Sequence, residues 1–548
     1  MAPIGQIAEK KSAIVCSDYQ CLFIVSSLSM TKMTVLSLVL LAIAHCLPAQ
    51  TPCPVIPLPA SATKQSGVFT CNANTTIITS QDSLHPVAQY LQQELQKIKG
   101  VTVKTGRSAK GATIRLVTQP GKNAEGYSLM MKPGAVTITG HSAAGVFYGV
   151  ISLLQIAAQS SNATIPCWSI NDSPTFTWRG YMLDESRYFF GKEKVKQILD
   201  QMAFYKLNKF HWHLTDQPGW RIEIKKYPKL TEIGGRGNHF DSTAAPAYYT
   251  QEEIKEIVAY AAERFITVVP EIDMPGHATA ANRAYPEFSG GGSARYPEFT
   301  FNPGYEGTYQ YLADILKETD ALFPSQMIHL GGDEVSFGNE KWLSNPHIQN
   351  LMRTHNLKDA KAVEFYFIRR MADTLTAMNN KTLAWDEVAQ ADLAPQQTIV
   401  FWWRHDQPKQ LATSLQKGYS VVLCPRLPFY FDFVQDSAHV SGRKWGKEKL
   451  FNPLQRVYNF SLADYNLPAE QKPQVLGIQA NVWTETIKTS QRLDFMMYPR
   501  LCAFAEAAWT KPAQKNYDEF TRRLQGHLPL LKKQGIHYYE PSQPEPIH

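Results

Sequence analysis

The chain is 548 residues long, more than one typical domain, so two or three domains are expected. Apolar residues make up 44% and charged ones 19%, which excludes a disordered chain, and the net charge of +7 is spread without the basic runs that track a phosphate backbone, which argues against nucleic acid as a partner. Aromatics reach 11%, with 11 Trp, a generous supply of flat side chains for stacking on apolar ligand faces.

Near the N-terminus, Met30–Gln50 combines Lys32, an apolar run over Val35–Ala44 and the small-residue end Pro48-Ala49-Gln50. That is the pattern of a secretory signal, too short to cross a bilayer comfortably, so no membrane span is expected and export to a periplasm, a cell surface or the medium is. Residues 1–29 fit poorly ahead of such a signal. Residues 1–50 are therefore read as an upstream extension and a signal peptide, with translation expected to begin at Met30 or Met33. Past that cut Cys53, Cys71, Cys167, Cys424 and Cys502 remain. Cys53 and Cys71 are near enough in sequence to suggest one disulfide, Cys424 and Cys502 sit in apolar runs as expected for buried thiols, and none has metal-ligand spacing.

Residues 51–170 mix two alternating strands, "NTTIITS" and "AVTITG", with two helical patterns, "HPVAQYLQQELQKIKG" and "SAAGVFYGVISLLQIAA". This reads as a small α+β domain, bounded by the proline-containing Asn171–Gly180. From 174 to 510 one grammar repeats: a short apolar run, polar and aromatic residues, then an amphipathic helix. The runs are "TWRGYMLD", "KFHWHLT", "TVVPEID", "MIHLGG", "KTLAWDE", "TIVFWW", "YSVVLC" and "VLGIQANVW". Eight strands alternating with helices predict an α/β protein with a (β/α)8 TIM barrel, and residues 511–548 predict a helical extension.

In such a barrel the active site gathers at the C-terminal ends of the strands. Standing there are Asp184 and Arg187; His213 and Asp216; Asp273 and His277; Asp333 and Glu334; Trp385, Asp386 and Glu387; Trp402 and Trp403; Tyr430 and Asp432; Trp483 and Glu485. Carboxylates with indoles suit a sugar ring, whose C–H face packs on aromatics while its hydroxyls take charged hydrogen bonds. Glycoside cleavage needs an acid for the leaving oxygen and a second group to stabilise the oxocarbenium-like centre. Neighbours on a regular strand point to opposite faces, so Asp333 and Glu334 both reach a substrate only if the strand has ended or bulged, which Gly331-Gly332 permits. In such a like-charge pair one acid can stay protonated beside an ionised neighbour.

The motifs "HLGGDE", "HWHLTDQPGW", "PEIDMPGHA", "LDESRYF" and "QANVWTE", in that company and order, resemble the strand-end motifs of the family 20 glycoside hydrolases, the β-N-acetylhexosaminidases. "VIPLPAS" and "GVFYGVISLLQ" resemble that family's N-terminal domain, so the likeness covers nearly the whole chain past residue 50. The resemblance implies an exo-acting, retaining enzyme that removes terminal β-linked N-acetylglucosamine or N-acetylgalactosamine from an oligosaccharide or glycoconjugate. Its nucleophile would be the substrate's own 2-acetamido oxygen, an exception to the two-carboxylate scheme. By the same resemblance Glu334 is the general acid and base, Asp333 orients the acetamido N–H, and Tyr430 holds the acetamido oxygen. Trp385, Trp403 and Trp483 wall the pocket, and Arg187, Asp432 and Glu485 bind the O3, O4 and O6 hydroxyls. Asp216 and His277 match the pair that supports the acid, although Gln217 stands where the family often has a second Asp.

Two other readings compete. His211 and His213, two apart on a strand, share a face and suggest a metal-dependent barrel hydrolase, but the acids that would complete the site have better uses, so core histidines, no metal and no cofactor are expected. A non-catalytic glycan-binding protein is set against the joint presence of Asp333, Glu334 and Tyr430. An acid that must be protonated beside an aspartate that must be ionised predicts a bell-shaped pH profile centred on mildly acidic values.

Overall fold

The computed structural model describes residues 52–161, 163–439 and 441–540. The expected signal peptide and upstream extension lie outside them. No helix among the described residues is long and apolar enough to cross a membrane.

The N-terminal part is a seven-stranded sheet made by β1 (Ser61–Thr70), β2 (Thr76–Thr79), β3 (Lys104–Thr105), β4 (Thr113–Thr118), β5 (Tyr127–Lys132), β6 (Ala135–Gly140) and β7 (Thr164–Asp172), in the order β1-β7-β5-β6-β4-β2-β3. Two helices pack on it. α1 (His85–Lys99) ends at Gly100, whose φ of 68° is the left-handed cap that glycine adopts without strain. α2 (Ala143–Ala158) starts where the Ser142 hydroxyl accepts from the Ala144 and Gly145 amides, and Gly145 through Ala157 are all buried. A helix apolar on every side must be covered on every side, and α2 lies between the sheet and the barrel helix Lys192–Phe204. Cys53 and Cys71 are free, buried thiols, not a disulfide. Cys71 donates to the Ala163 carbonyl just before β7, whereas Cys53 lies by Asp172 and Lys206 at the far end of that nine-residue strand, which carries its ends on the order of 30 Å apart, against the roughly 6 Å that a disulfide spans. Cys424 and Cys502 are buried thiols, as their apolar surroundings suggested.

The eight remaining long runs close into a parallel barrel: β8 (Trp178–Asp184), β9 (Lys209–His213), β10 (Thr267–Glu271), β13 (Met327–His329), β14 (Lys381–Trp385), β15 (Thr398–Trp402), β16 (Ser420–Leu423) and β17 (Val475–Val482). A short hairpin, β11 (Ser289–Gly291) with β12 (Thr300–Phe301), is inserted after β10. This is the expected (β/α)8 barrel. Its register aligns Asp184 with His213, His213 with Glu271, and Glu271 with His329, so four neighbouring strands end in one layer of ionisable side chains.

Sheet and barrel are joined through buried polar groups. Asp172, at the end of β7, accepts from Trp509 Nε1 at 2.9 Å, Tyr127 Oη at 2.8 Å and Lys206 Nζ at 3.2 Å. Arg179 on β8 reaches back to Glu125 with two parallel bonds of 2.7 and 2.8 Å. Beyond the barrel, the helix Tyr517–Lys533 sends Arg523 to Glu506 at 2.5 and 2.8 Å and to the Val55 carbonyl at 3.0 Å, tying the C-terminal helix to both. Breaking one partner of such a desolvated pair typically costs about 3–5 kcal/mol.

Candidate active site

The C-terminal rim of the barrel opens into a pocket of about 420 Å³ lined by Arg187, His277, Asp333, Glu334, Trp385, Trp403, Tyr430, Arg443, Trp483 and Glu485. Each barrel strand except β9 contributes directly, and β9 contributes from behind.

The acid pair depends on how β13 ends. The strand stops at His329, and Gly331 and Gly332 follow with φ of 67° and 84°. A Cβ on Gly331 would lie 1.9 Å from Asp273 Oδ1, so no larger residue fits. Glu334 itself is left-handed, with φ 52° and ψ 19°, an unusual conformation for a residue with a side chain. The strand's alternation is thereby broken, and both acids turn to one side: Asp333 Oδ2 and Glu334 Oε2 each lie 3.7 Å from His277 Nε2.

His277, also left-handed at φ 53°, shares its other nitrogen with Asp216, Nδ1 to Oδ1 at 2.9 Å. Asp216 is held further by Arg187 at 2.7 Å and His213 at 2.9 Å, and His213 reaches Glu271 at 2.5 Å. A buried chain of alternating carboxylates and imidazoles thus runs from Glu271 through His213, Asp216 and His277 to the acid pair. Burial alone would raise Asp216, but Arg187 and His277 pull it well below the usual carboxylate range. Burial opposes charge on His277, yet Asp216, Asp273 and Asp333 hold its ring well above the ordinary value. Asp333 is pushed up to about 7, by burial first and then by Glu334, with His277 acting in the opposite sense.

The indole wall is built from packed rings. Trp403 stacks parallel on Tyr430 at 6.3 Å, Tyr430 meets Trp483 at 6.2 Å, and Trp483 meets Trp385 at 5.8 Å. Trp385 Nε1 donates to Glu271 at 2.9 Å, which fixes the ring against the pocket floor. Of the neighbours in "FWW", Trp402 is buried against Tyr465, and Trp403 lines the pocket, donating to Glu387 at 3.1 Å. Opposite, Arg187 lies 5.0 Å over the Trp483 ring and 4.0 Å from Glu485.

Two sequence-selected residues stand behind the wall. Asp216 touches the pocket only through Arg187 and His277, and Asp432 is 1% exposed beneath Arg443, whose Nε lies 3.3 Å away. Burial pushes Asp432 up to about 7. Arg443, which also reaches Glu485 at 2.5 Å, was missed. It lies on the loop after β16 and enters only because that loop folds back, with Arg443 bridging to Phe433. Glu271 was missed as well, although "PEID" places it at a strand end.

His211, Glu271 and His329 have the composition of a metal site, and their donor atoms lie within 4.8 Å of one another. They are, however, turned on each other. Gln479 donates to His211 Nδ1 at 3.0 Å, which leaves the proton on Nε2, 3.0 Å from Glu271, and Glu271 also takes His213 and the Trp385 indole.

The comparisons with known proteins point to one family. The sequence profile "Glycosyl hydrolase family 20, catalytic domain" matches residues 176–512, and "Glycosyl hydrolase family 20, domain 2" matches residues 52–173. A beta-hexosaminidase of Porphyromonas gingivalis is 36% identical over 519 residues, covering 90% of this chain and 65% of its own length. One from Vibrio furnissii is 35% identical, covering 82% of this chain and 76% of its own. Among solved structures, an exo β-N-acetylglucosaminidase of Vibrio harveyi in complex with N-acetylglucosamine superposes with a TM-score of 0.83 at 33% identity, over 91% of this chain and 80% of that one. Fold, site and relatives together define a glycoside hydrolase. Within that class the chain belongs to glycosyl hydrolase family 20.

Proposed function

We propose that the protein is an exo-acting, retaining β-N-acetylhexosaminidase that uses the substrate's 2-acetamido group as nucleophile. The observation that carries this reading is the placement of the acids. A retaining hydrolase with its own nucleophile sets two carboxylates about 5 Å apart on opposite sides of the scissile bond. Here Asp333 and Glu334 sit side by side on His277, the facing wall is Trp385, Tyr430 and Trp483, and Glu485 is engaged by Arg443 and Arg187.

In this reading Glu334 protonates the glycosidic oxygen while the acetamido oxygen, held by Tyr430, attacks the anomeric carbon. The C–O bond breaks, an oxazolinium ring forms, and the leaving alcohol departs with the proton. Asp333 accepts the acetamido N–H and faces the positive charge that develops there. Water, giving its proton to Glu334, then opens the ring with net retention. Arg187 and Glu485 take sugar hydroxyls at the closed end, with Arg443 above Asp432 completing it, which supports removal of one terminal residue at a time. Export, suggested by Met30–Gln50, would place the enzyme with glycans outside the cytoplasm.

The test compares the 4-nitrophenyl β-N-acetylglucosaminide with the β-glucoside, with and without a thiazoline analogue of the oxazolinium ion. Turnover of the first alone, blocked by the thiazoline, is the expected result. Comparable turnover of the glucoside removes the acetamido mechanism.

The pH dependence follows from Asp333. The working form is the carboxylate, and burial places its midpoint near 7 in the free enzyme, against about 4 for an ordinary aspartate. As pH falls through that value the carboxylate is lost, so kcat/KM is expected to decline on the acid side with a midpoint near neutrality, higher than the mildly acidic profile expected from sequence. Substrate N–H donation favours the ionised form, so the same limb of kcat should lie lower. An acid limb of kcat/KM below about pH 5 would contradict the assignment.

A further inference from the structure

Next to the sugar pocket lies a second cleft of about 620 Å³ that shares Glu334 and Trp403 with it and whose wall includes Phe337, Lys361, Glu387, Arg404 and Arg426. Its position has a chemical meaning. A general acid touches the oxygen that leaves, so the space bordering Glu334 outside the sugar pocket is where the rest of the substrate must go. This step rests on the function proposed above.

The charges of the cleft are uneven. Arg404 is spoken for, with Asp386 on its Nε at 2.6 Å and Glu387 at 3.3 Å. The Glu387 carboxyl is occupied in turn, by Arg404 and by the Trp403 indole N–H at 3.1 Å. Arg426 meets only a weak counter-charge among the described residues, Asp406 at 3.6 Å, itself 44% exposed. Its guanidinium lies 4.4 Å from the Trp403 ring centre and 4.3 Å from that of Trp445, and its Nε has no hydrogen-bond partner. A guanidinium held over two indole faces by cation–π attraction still has its N–H groups to offer an acceptor. Lys361, 48% exposed, gives one of its three donors to the buried Glu364 on its own helix at 2.6 Å, and the others face outward to an acceptor in the cleft. Phe337, 44% exposed and stacked on Tyr296 at 5.7 Å, offers an apolar face beside the acid.

We propose that this cleft is the leaving-group subsite and that it selects a sugar bearing an anionic group, a uronate carboxylate or a sulfate ester, next to the scissile bond. Arg426 and Lys361 supply the recognition, and Phe337 the platform for the ring.

The experiment uses four substrates: N-acetylglucosamine β-linked to glucuronate, to galactose 6-sulfate, to neutral galactose, and to 4-nitrophenol. At low ionic strength at least one anionic disaccharide is expected to exceed the galactoside in kcat/KM by about fivefold or more, with the preference shrinking in about 0.5 M salt as the exposed cations are screened. Which one does so tells carboxylate from sulfate. Lys361→Gln, whose amide can still donate to the buried Glu364, and Arg426→Gln should each lower the ratio of anionic to neutral turnover, with a thermal melt of each variant as the check on folding. Equal or slower cleavage of both anionic substrates by the unmodified enzyme, or a preference that survives in both variants, overturns the proposal. Loss of the nitrophenyl substrate as well would instead overturn the hexosaminidase reading, and this subsite with it.

Discussion

Glu334→Gln is expected to lower kcat/KM on an unactivated disaccharide by about 10³-fold, the middle of the range for losing a general acid or base, and to lower it far less on a 4-nitrophenyl glycoside. The difference arises because 4-nitrophenolate leaves without a proton, whereas a sugar alkoxide does not. Glutamine preserves the shape of a residue that sits in a left-handed turn 3.7 Å from His277, so folding and product binding should persist. The measurement is kcat/KM on both substrates with a thermal melt of the variant. Equal losses on both substrates would remove Glu334 from the acid role.

Asp333→Asn is expected to behave differently. In the proposed mechanism its task is to face positive charge on the acetamido nitrogen, and loss of such a preorganised partner costs about 10²–10³-fold. That charge develops whatever the leaving group, so disaccharide and nitrophenyl glycoside should lose alike. The acid limb near neutrality, which belongs to this carboxylate, should vanish from kcat/KM. A loss that tracks the leaving group would mean that the roles of the two acids are exchanged.

Much of the fold was legible because a parallel barrel writes itself as short apolar runs, buried on both faces, between amphipathic helices. All eight runs became barrel strands, each trimmed at its edges by one to three residues. The acid pair was legible through Gly331-Gly332, since only a broken alternation brings both carboxylates together. What was not legible depends on loops and on distance. The disulfide between Cys53 and Cys71 seemed plausible from separation alone, but the two thiols lie at opposite ends of β7. Arg443 carries no motif, and its place in the pocket is set by a fold-back after β16. Asp432 appeared as a ligand-facing acid because it ends near a strand, yet Arg443 covers it.

The seam between the sheet and the barrel has a consequence for how the protein comes apart. The two family profiles part at residues 173 and 176, a natural place to cut a gene. Asp172, on one side of that cut, satisfies the indole of Trp509 and the ammonium of Lys206 on the other, and Arg179 crosses back to Glu125. A barrel freed at residue 174 would carry a buried lysine and a buried arginine with no counter-charge, together with the uncovered seat of α2. A boundary in inheritance is therefore not a boundary in cooperativity: sheet, barrel and C-terminal helix should melt as one unit.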